Sequence, residues 1–216
     1  MQVEGDYNRD GYASIKRLVA PEVANAFLHR LQQDLSQSRV SLRTYARQSG
    51  LLRHESIEIY GYHYKPMITF LWGLTPTMAE LTGRDVLPTY NYFRIYRQGD
   101  ICRVHSDRAS CEHSLSLTLG YSDGKPWDLE IGSNPIAEVQ APRDDWGDEA
   151  HRAIPMEPGD AVLYQGVSHR HARVTPNPNR WSAHMFLHWV DRDGPHRDCA
   201  FDGQVQPEAA VEFDLS

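Results

Sequence analysis

The chain has 216 residues, 40% of them hydrophobic and 24% charged, which suits a single core of the size that all-β domains reach and sets it apart from disordered chains. With 22 Lys and Arg against 29 Asp and Glu, the formal charge is −7, which repels phosphate backbones and anionic lipid surfaces. No apolar run approaches the roughly 20 residues of a membrane span, and the N-terminus lacks the order of a signal peptide, so neither nucleic acid nor membrane is expected as a partner and a cytoplasmic location is.

Residues 11–19 are β-rich, and residues 21–35 carry apolar side chains at helical spacing with Pro21 in the first turn, giving strand then helix. A polar stretch from 36 to 53 has weak periodicity and reads as loop with some helix. Between 65 and 81, Met67, Phe70, Leu71, Leu74, Met78 and Leu81 recur three and four apart and Gly83 supplies a stop, which predicts a second core-facing helix. Beyond Pro88 the pattern changes to short β-branched or aromatic runs at 89–96, 111–121, 160–164 and 182–190, separated by Gly, Asp and Pro. Residues 132–156 are irregular, and suit a lid over a site or a surface excursion equally. The expectation is one domain over 1–216: helical support in 1–85, a β-sandwich or barrel in 86–192, and a tail over 193–216. Cys102, Cys111 and Cys199 have no Cys-x-x-Cys spacing, so buried free thiols are expected.

The chemistry concentrates in Arg103-Val-His105-Ser-Asp107-Arg108. On a strand, side chains two apart share a face, so His105 and Asp107 can converge on one ion. Two histidines and one carboxylate on a single face leave coordination positions free on iron(II), as oxygen and a chelating co-substrate require. The third ligand comes from His169 or His171, between which strand alternation does not choose. Arg180 follows, and a buried guanidinium there would clamp the far carboxylate of a dicarboxylate co-substrate.

This layout resembles the 2-oxoglutarate/Fe(II)-dependent oxygenases, and more closely their prolyl 4-hydroxylase-like branch. The matched pieces are Tyr96-Arg-Gln-Gly99, His105-x-Asp107, Pro158-Gly-Asp160 with Tyr164-x-Gly166, and the late histidine with Arg180-Trp-Ser182. The resemblance implies a double-stranded β-helix (jelly-roll, cupin-like) core. It selects His171, five residues after Gly166, as the third iron ligand. It also implies a 2-oxoglutarate site that includes Tyr96, Arg180 and Ser182, with Cys102 standing where some members carry a second Tyr. The implied reaction uses Fe(II), O2 and 2-oxoglutarate to hydroxylate an unactivated C–H bond through a ferryl intermediate, releasing succinate and CO2. A carboxylate at Asp107 favours hydroxylation over halogenation. A small molecule such as an amino acid is the expected substrate. Peptidyl-prolyl modification, a metal-binding cupin of other chemistry and a non-catalytic binding module are the alternatives. His184 and His188 read as hydrogen-bonded or substrate-lining, and Arg108 and Arg173 as flanking residues that could orient a substrate carboxylate or salt-bridge at the rim.

Overall fold

A computed structural model describes residues 1–203 and 209–215. In chain order it contains β1 (Gln2–Glu4), α1 (Tyr7–Asp10), β2 (Tyr12–Lys16), α2 (Pro21–Gln37), β3 (Ala46–Arg47), β4 (Ser56–Tyr60) and α3 (Pro66–Thr82). Then follow β5 (Val86–Arg97), β6 (Cys102–His105), β7 (His113–Tyr121), β8 (Leu129–Gly132), β9 (His151–Ile154), β10 (Ala161–Tyr164), β11 (His171–Arg173) and β12 (Trp181–Asp191). Short 3-10 turns cover Leu42–Tyr45, Ala109–Cys111 and Arg197–Gly203.

Two antiparallel sheets make a jelly roll. The larger is ordered β1-β2-β10-β7-β12-β5-β4-β3 and the smaller β6-β11-β8-β9. The strands at 86–191 arise where the sequence turns β-branched and aromatic. The N-terminal third is less purely helical than expected, because β1 and β2 extend one edge of the large sheet and β4 and β3 the other. Antiparallel edges recruit such short segments by backbone hydrogen bonding, which leaves a weak side-chain signature.

Helices α2 and α3 cover one face of the large sheet. Phe27 and Leu31 from α2, and Met67, Leu71 and Met78 from α3, join Ile59, Phe93, Leu115, Leu117, Met185, Leu187 and Trp189 in one buried cluster. Phe93 and Ile95 of β5 and Ala183, Met185, Leu187 and Trp189 of β12 point into this core, so the alternating Tyr92, Arg94, Tyr96, Phe186 and His188 face the small sheet, where the site lies. Gly83 ends α3 in the left-handed conformation, donating to the Ala79 carbonyl. The stretch from 133 to 150 backs the outer face of the small sheet rather than forming a lid. Its Trp146 is buried against Val104 and Ala172, and Arg143 pairs with Val104 through the backbone. Of the tail, residues 193–203 form turns against the large sheet, while 204–208 and 216 lie outside the described residues.

Pro158-Gly-Asp160 proves to be a structural corner. Asp160 accepts from the backbone N–H groups of Arg17 and Glu157 and pairs with Lys16, tying β2 to β10. Gly159 has φ of +91°, and a Cβ there would lie 2.4 Å from the Val19 carbonyl oxygen. Gly159→Ala should therefore lower unfolding stability by about 2 kcal/mol or more in urea titration, beyond the cost of positive φ alone.

Candidate metal centre and its pocket

The small sheet sets the site. β6 and β11 pair antiparallel with His171 opposite His105 and Arg173 opposite Cys102, across a register shift. The two imidazoles thus stand side by side, with ring centroids 4.3 Å apart. Asp107 follows β6, where its N–H donates to the Gly166 carbonyl at 2.8 Å. Glycine is required at 166, since a Cβ would lie 2.6 Å from Asp107 Oδ2 and 2.5 Å from the Cys111 carbonyl oxygen. One ligand-capable atom from each of His105, Asp107 and His171 lies within 4.8 Å of the others.

The hydrogen bonding around the rings fixes what they present. His105 Nδ1 lies 2.7 Å from the Arg103 carbonyl oxygen and His171 Nδ1 lies 3.2 Å from that of His169. A carbonyl can only accept, so both Nδ1 atoms carry the proton, and each Nε2 turns a lone pair toward Asp107, at 3.8 and 3.5 Å. Burial, then neighbouring His171, pushes His105 down to about 4. Burial works against ionisation of Asp107, yet a proton carried by His171, or by His105, would hold its carboxyl well below the usual range. Two bare imidazole nitrogens and a carboxylate facing one another repel unless a cation sits among them, and nitrogen and oxygen donors in this ratio suit iron(II).

The pocket beyond the cluster is walled by Tyr90, Tyr92, Arg94 and Tyr96 of β5, Phe186 and His188 of β12, Tyr164 of β10, and Leu129 of β8. Tyr92 stacks between Phe186 at 4.8 Å and Tyr60 at 5.4 Å, across three neighbouring strands. Two guanidinium groups lie deeper. Arg94 is buried and paired with Glu58 at 2.8 Å, and it donates to the Tyr96 hydroxyl at 3.0 Å. Arg173, only 1% exposed, shares His171's face of β11 and donates to the Trp127 carbonyl. No carboxylate pairs with Arg173 among the described residues, and its Nε and His184 Nε2 have no partner there. Burial, then Arg173, holds His184 well below its ordinary range, so this ring is neutral.

No protein-family model matches the sequence, and no curated protein does. Solved structures do match by shape. The α-ketoglutarate-dependent carbocyclase SnoK of nogalamycin biosynthesis superposes with a TM-score of 0.64 at 12% identity, over 97% of this chain and 92% of that one. HygX from Streptomyces hygroscopicus, solved with nickel and 2-oxoglutarate bound, gives 0.61 at 9% identity, over 87% and 85%. A Pseudomonas putida prolyl-4-hydroxylase gives 0.56 at 12%, over 85% and 95%. The fold is that of the iron(II)/2-oxoglutarate oxygenases.

Within that fold the structure brings His105, Asp107, His171 and Tyr96 to one pocket and leaves three other candidates out. His169 points away, its ring packed against Gly11 at the end of α1. Arg180 is a correction: its side chain is 73% exposed and pairs with Asp123 at 3.2 Å on the surface. It precedes the first residue of β12, so strand alternation does not govern where its side chain points. Ser182 is buried but spends its hydroxyl on Asn177 Oδ1 at 2.7 Å, closing the β11–β12 connection, and it does not line the pocket. The sequence reading missed Arg94 as a pocket residue and gave Arg173 only a flanking place. Their signal was parity: Arg94 and Tyr96 are two apart, as are His171 and Arg173.

A second His/carboxylate group, Glu112, His113 and Asp191, is saturated by hydrogen bonds. Tyr7 and Asp191 occupy both nitrogens of His113, while Asp191 also pairs with Arg84. Because Glu58 is the buried counter-charge of Arg94, Glu58→Gln leaves a guanidinium without its carboxylate. It should cost about 3 kcal/mol of unfolding free energy in urea titration, whereas Glu55→Gln at the exposed pair with Arg97 should cost under about 1.

Proposed function

We propose that this chain is an iron(II)- and 2-oxoglutarate-dependent dioxygenase that hydroxylates an unactivated C–H bond of a small molecule. The convergence of His105 Nε2, His171 Nε2 and Asp107 carries the reading, and the orphaned donors beside Arg173 support it. We take the whole chain as one catalytic unit. Iron(II) held by these three residues would supply, with dioxygen and 2-oxoglutarate, the oxidation that places oxygen on carbon and releases succinate and CO2.

The protein's own part is positioning. The carbonyls of Arg103 and His169 orient the two imidazoles. Arg173, one register step deeper than His171 on the same strand, takes the distal carboxylate of 2-oxoglutarate, in place of Arg180. The Tyr96 hydroxyl already accepts from Arg94, which leaves its own proton to donate to that carboxylate. His184 Nε2–H is a further unpartnered donor beside Arg173. Tyr90, Tyr92, Phe186 and Leu129 line the outer part and exclude water from the reacting carbon.

The test is an anaerobic titration with iron(II) and 2-oxoglutarate, followed at the visible metal-to-ligand band. His105→Ala, Asp107→Ala and His171→Ala should each lose the band and weaken iron binding by more than about 100-fold, beyond the cost of losing a supporting hydrogen bond. His169→Ala should keep it. Arg173→Met should leave iron affinity nearly unchanged while raising the 2-oxoglutarate requirement by roughly 100- to 1,000-fold, with Arg180→Met behaving as wild type. If Arg180→Met needs more 2-oxoglutarate and Arg173→Met does not, the clamp is misassigned. If the wild type forms no band, the oxygenase reading fails.

A further inference from the structure

Outside the metal pocket lies a second cavity, and Tyr90 lines both. Tyr62 and Trp72, each 53% exposed, form part of its wall. Phe201 and Asp202 close it from the segment Arg197–Gly203, which packs on β5 and on the turn at Ala109–Cys111. Both take left-handed backbone conformations, with φ of 56° and 52°. That placement brings the Asp202 carboxylate to 3.8 Å from the guanidinium of Arg108, the residue after Asp107. Arg108 in turn lies 4.4 Å above the Tyr90 ring. The rim thus carries one cation and one anion at the outer limit of an ion pair, with side chains 61% and 32% exposed.

Such a pair adds little to folding stability, whereas two consecutive non-glycine residues in the left-handed region cost free energy, an expense that gathers at functional places. We propose that Arg108 and Asp202 read the two charges of a free α-amino acid. Its carboxylate meets Arg108, its ammonium meets Asp202, and its apolar side chain passes Tyr90 toward His105, Asp107 and His171. The inference rests on the oxygenase reading for the fate of the bound molecule.

Charge complementarity selects the class. A lone carboxylate would face repulsion from Asp202 and a lone amine repulsion from Arg108, while a zwitterion satisfies both. The rings of Tyr62, Trp72 and Tyr90 suit an ammonium or a guanidinium–carboxylate plane at the rim. Tyr92, Phe186 and Leu129 inside suit an aliphatic or aromatic side chain. A residue within a peptide offers neither charge, so this rim disfavours a peptidyl substrate.

The test is calorimetric titration of L-leucine, L-methionine and L-phenylalanine, each also as its amide and its N-acetyl derivative. It is run on the metal-free protein and on protein loaded anaerobically with iron(II) and 2-oxoglutarate. At least one free amino acid should bind the loaded protein with a Kd of about 10 mM or tighter. Its amide and its N-acetyl form should each bind at least tenfold more weakly. Arg108→Met should abolish the preference over the amide, and Asp202→Asn, which tolerates the left-handed backbone, the preference over the N-acetyl form. The proposal is overturned if no free amino acid binds, if the blocked forms bind as well, or if both variants behave as wild type. Tighter binding of doubly blocked forms would point to a peptidyl substrate and overturn it too. A missing visible band with charge-dependent amino-acid binding intact sinks only the oxygenase reading, and a normal band without such binding sinks only this inference.

Discussion

The antiparallel pairing of β6 with β11 is the constraint on which the site depends. One register sets His171 beside His105 and, a step deeper, Arg173 beside Cys102. A slip of one residue would turn the histidines to the outer face, against Val104, Ala172 and Trp146, and bring apolar side chains inward. The pairing is short, so the register is held from behind. Residues 133–150 pack there, and the Trp146 indole donates to the Glu130 carboxylate of β8.

Opposite this pair, β5 and β12 supply the rest of the pocket by alternation. Phe93 and Ile95 of β5 and the odd-numbered side chains of β12 from Ala183 to Trp189 pack in the core under α2 and α3, which leaves Tyr90, Tyr92, Arg94, Tyr96, Phe186 and His188 for the inner face, with His184 beside Arg173. One face of one strand pair therefore carries rings, imidazoles and a guanidinium together. Burying those polar groups is tolerable because most find partners: Arg94 has Glu58 and Tyr96, and His188 Nδ1 has Ser114. Among the described residues seven buried side-chain atoms lack a partner, and three of them, Arg173 Nε, His184 Nε2 and His188 Nε2, belong to side chains in or beside this pocket. Unpaired buried donors are costly, and Arg173 Nε with its neighbour His184 Nε2 would find partners in a polar ligand.

Helices α2 and α3 were legible in the sequence, since 3.6-residue periodicity and end signals are local properties of the chain. The long strands at 86–97, 113–121 and 181–191 were legible for the same reason. The edge strands β1 and β3, the neighbouring β4 and the short β8 and β9 were not read, because two to five residues paired through backbone atoms impose little pattern. His105 and Asp107 were singled out by two-residue spacing on an expected strand, although β6 ends at His105 and Asp107 lies just beyond it, and the family resemblance supplied the preference for His171 over His169.

Arg180 shows where that reasoning ended. Distance along the chain from the last histidine suits a clamp, but which way a side chain points depends on where β12 begins, and β12 starts one residue later at Trp181. Arg180 therefore turns outward to Asp123, and Ser182 is taken by the asparagines of the preceding loop. Sequence alone determined the chemistry available: which residues could hold a metal, where core helices run, and that the second half is β. Only the tertiary structure decided which guanidinium is buried without a counter-charge and which sits on the surface. Desolvation and charge pairing depend on neighbours brought together from distant strands, as Glu58 meets Arg94 and Asp202 meets Arg108.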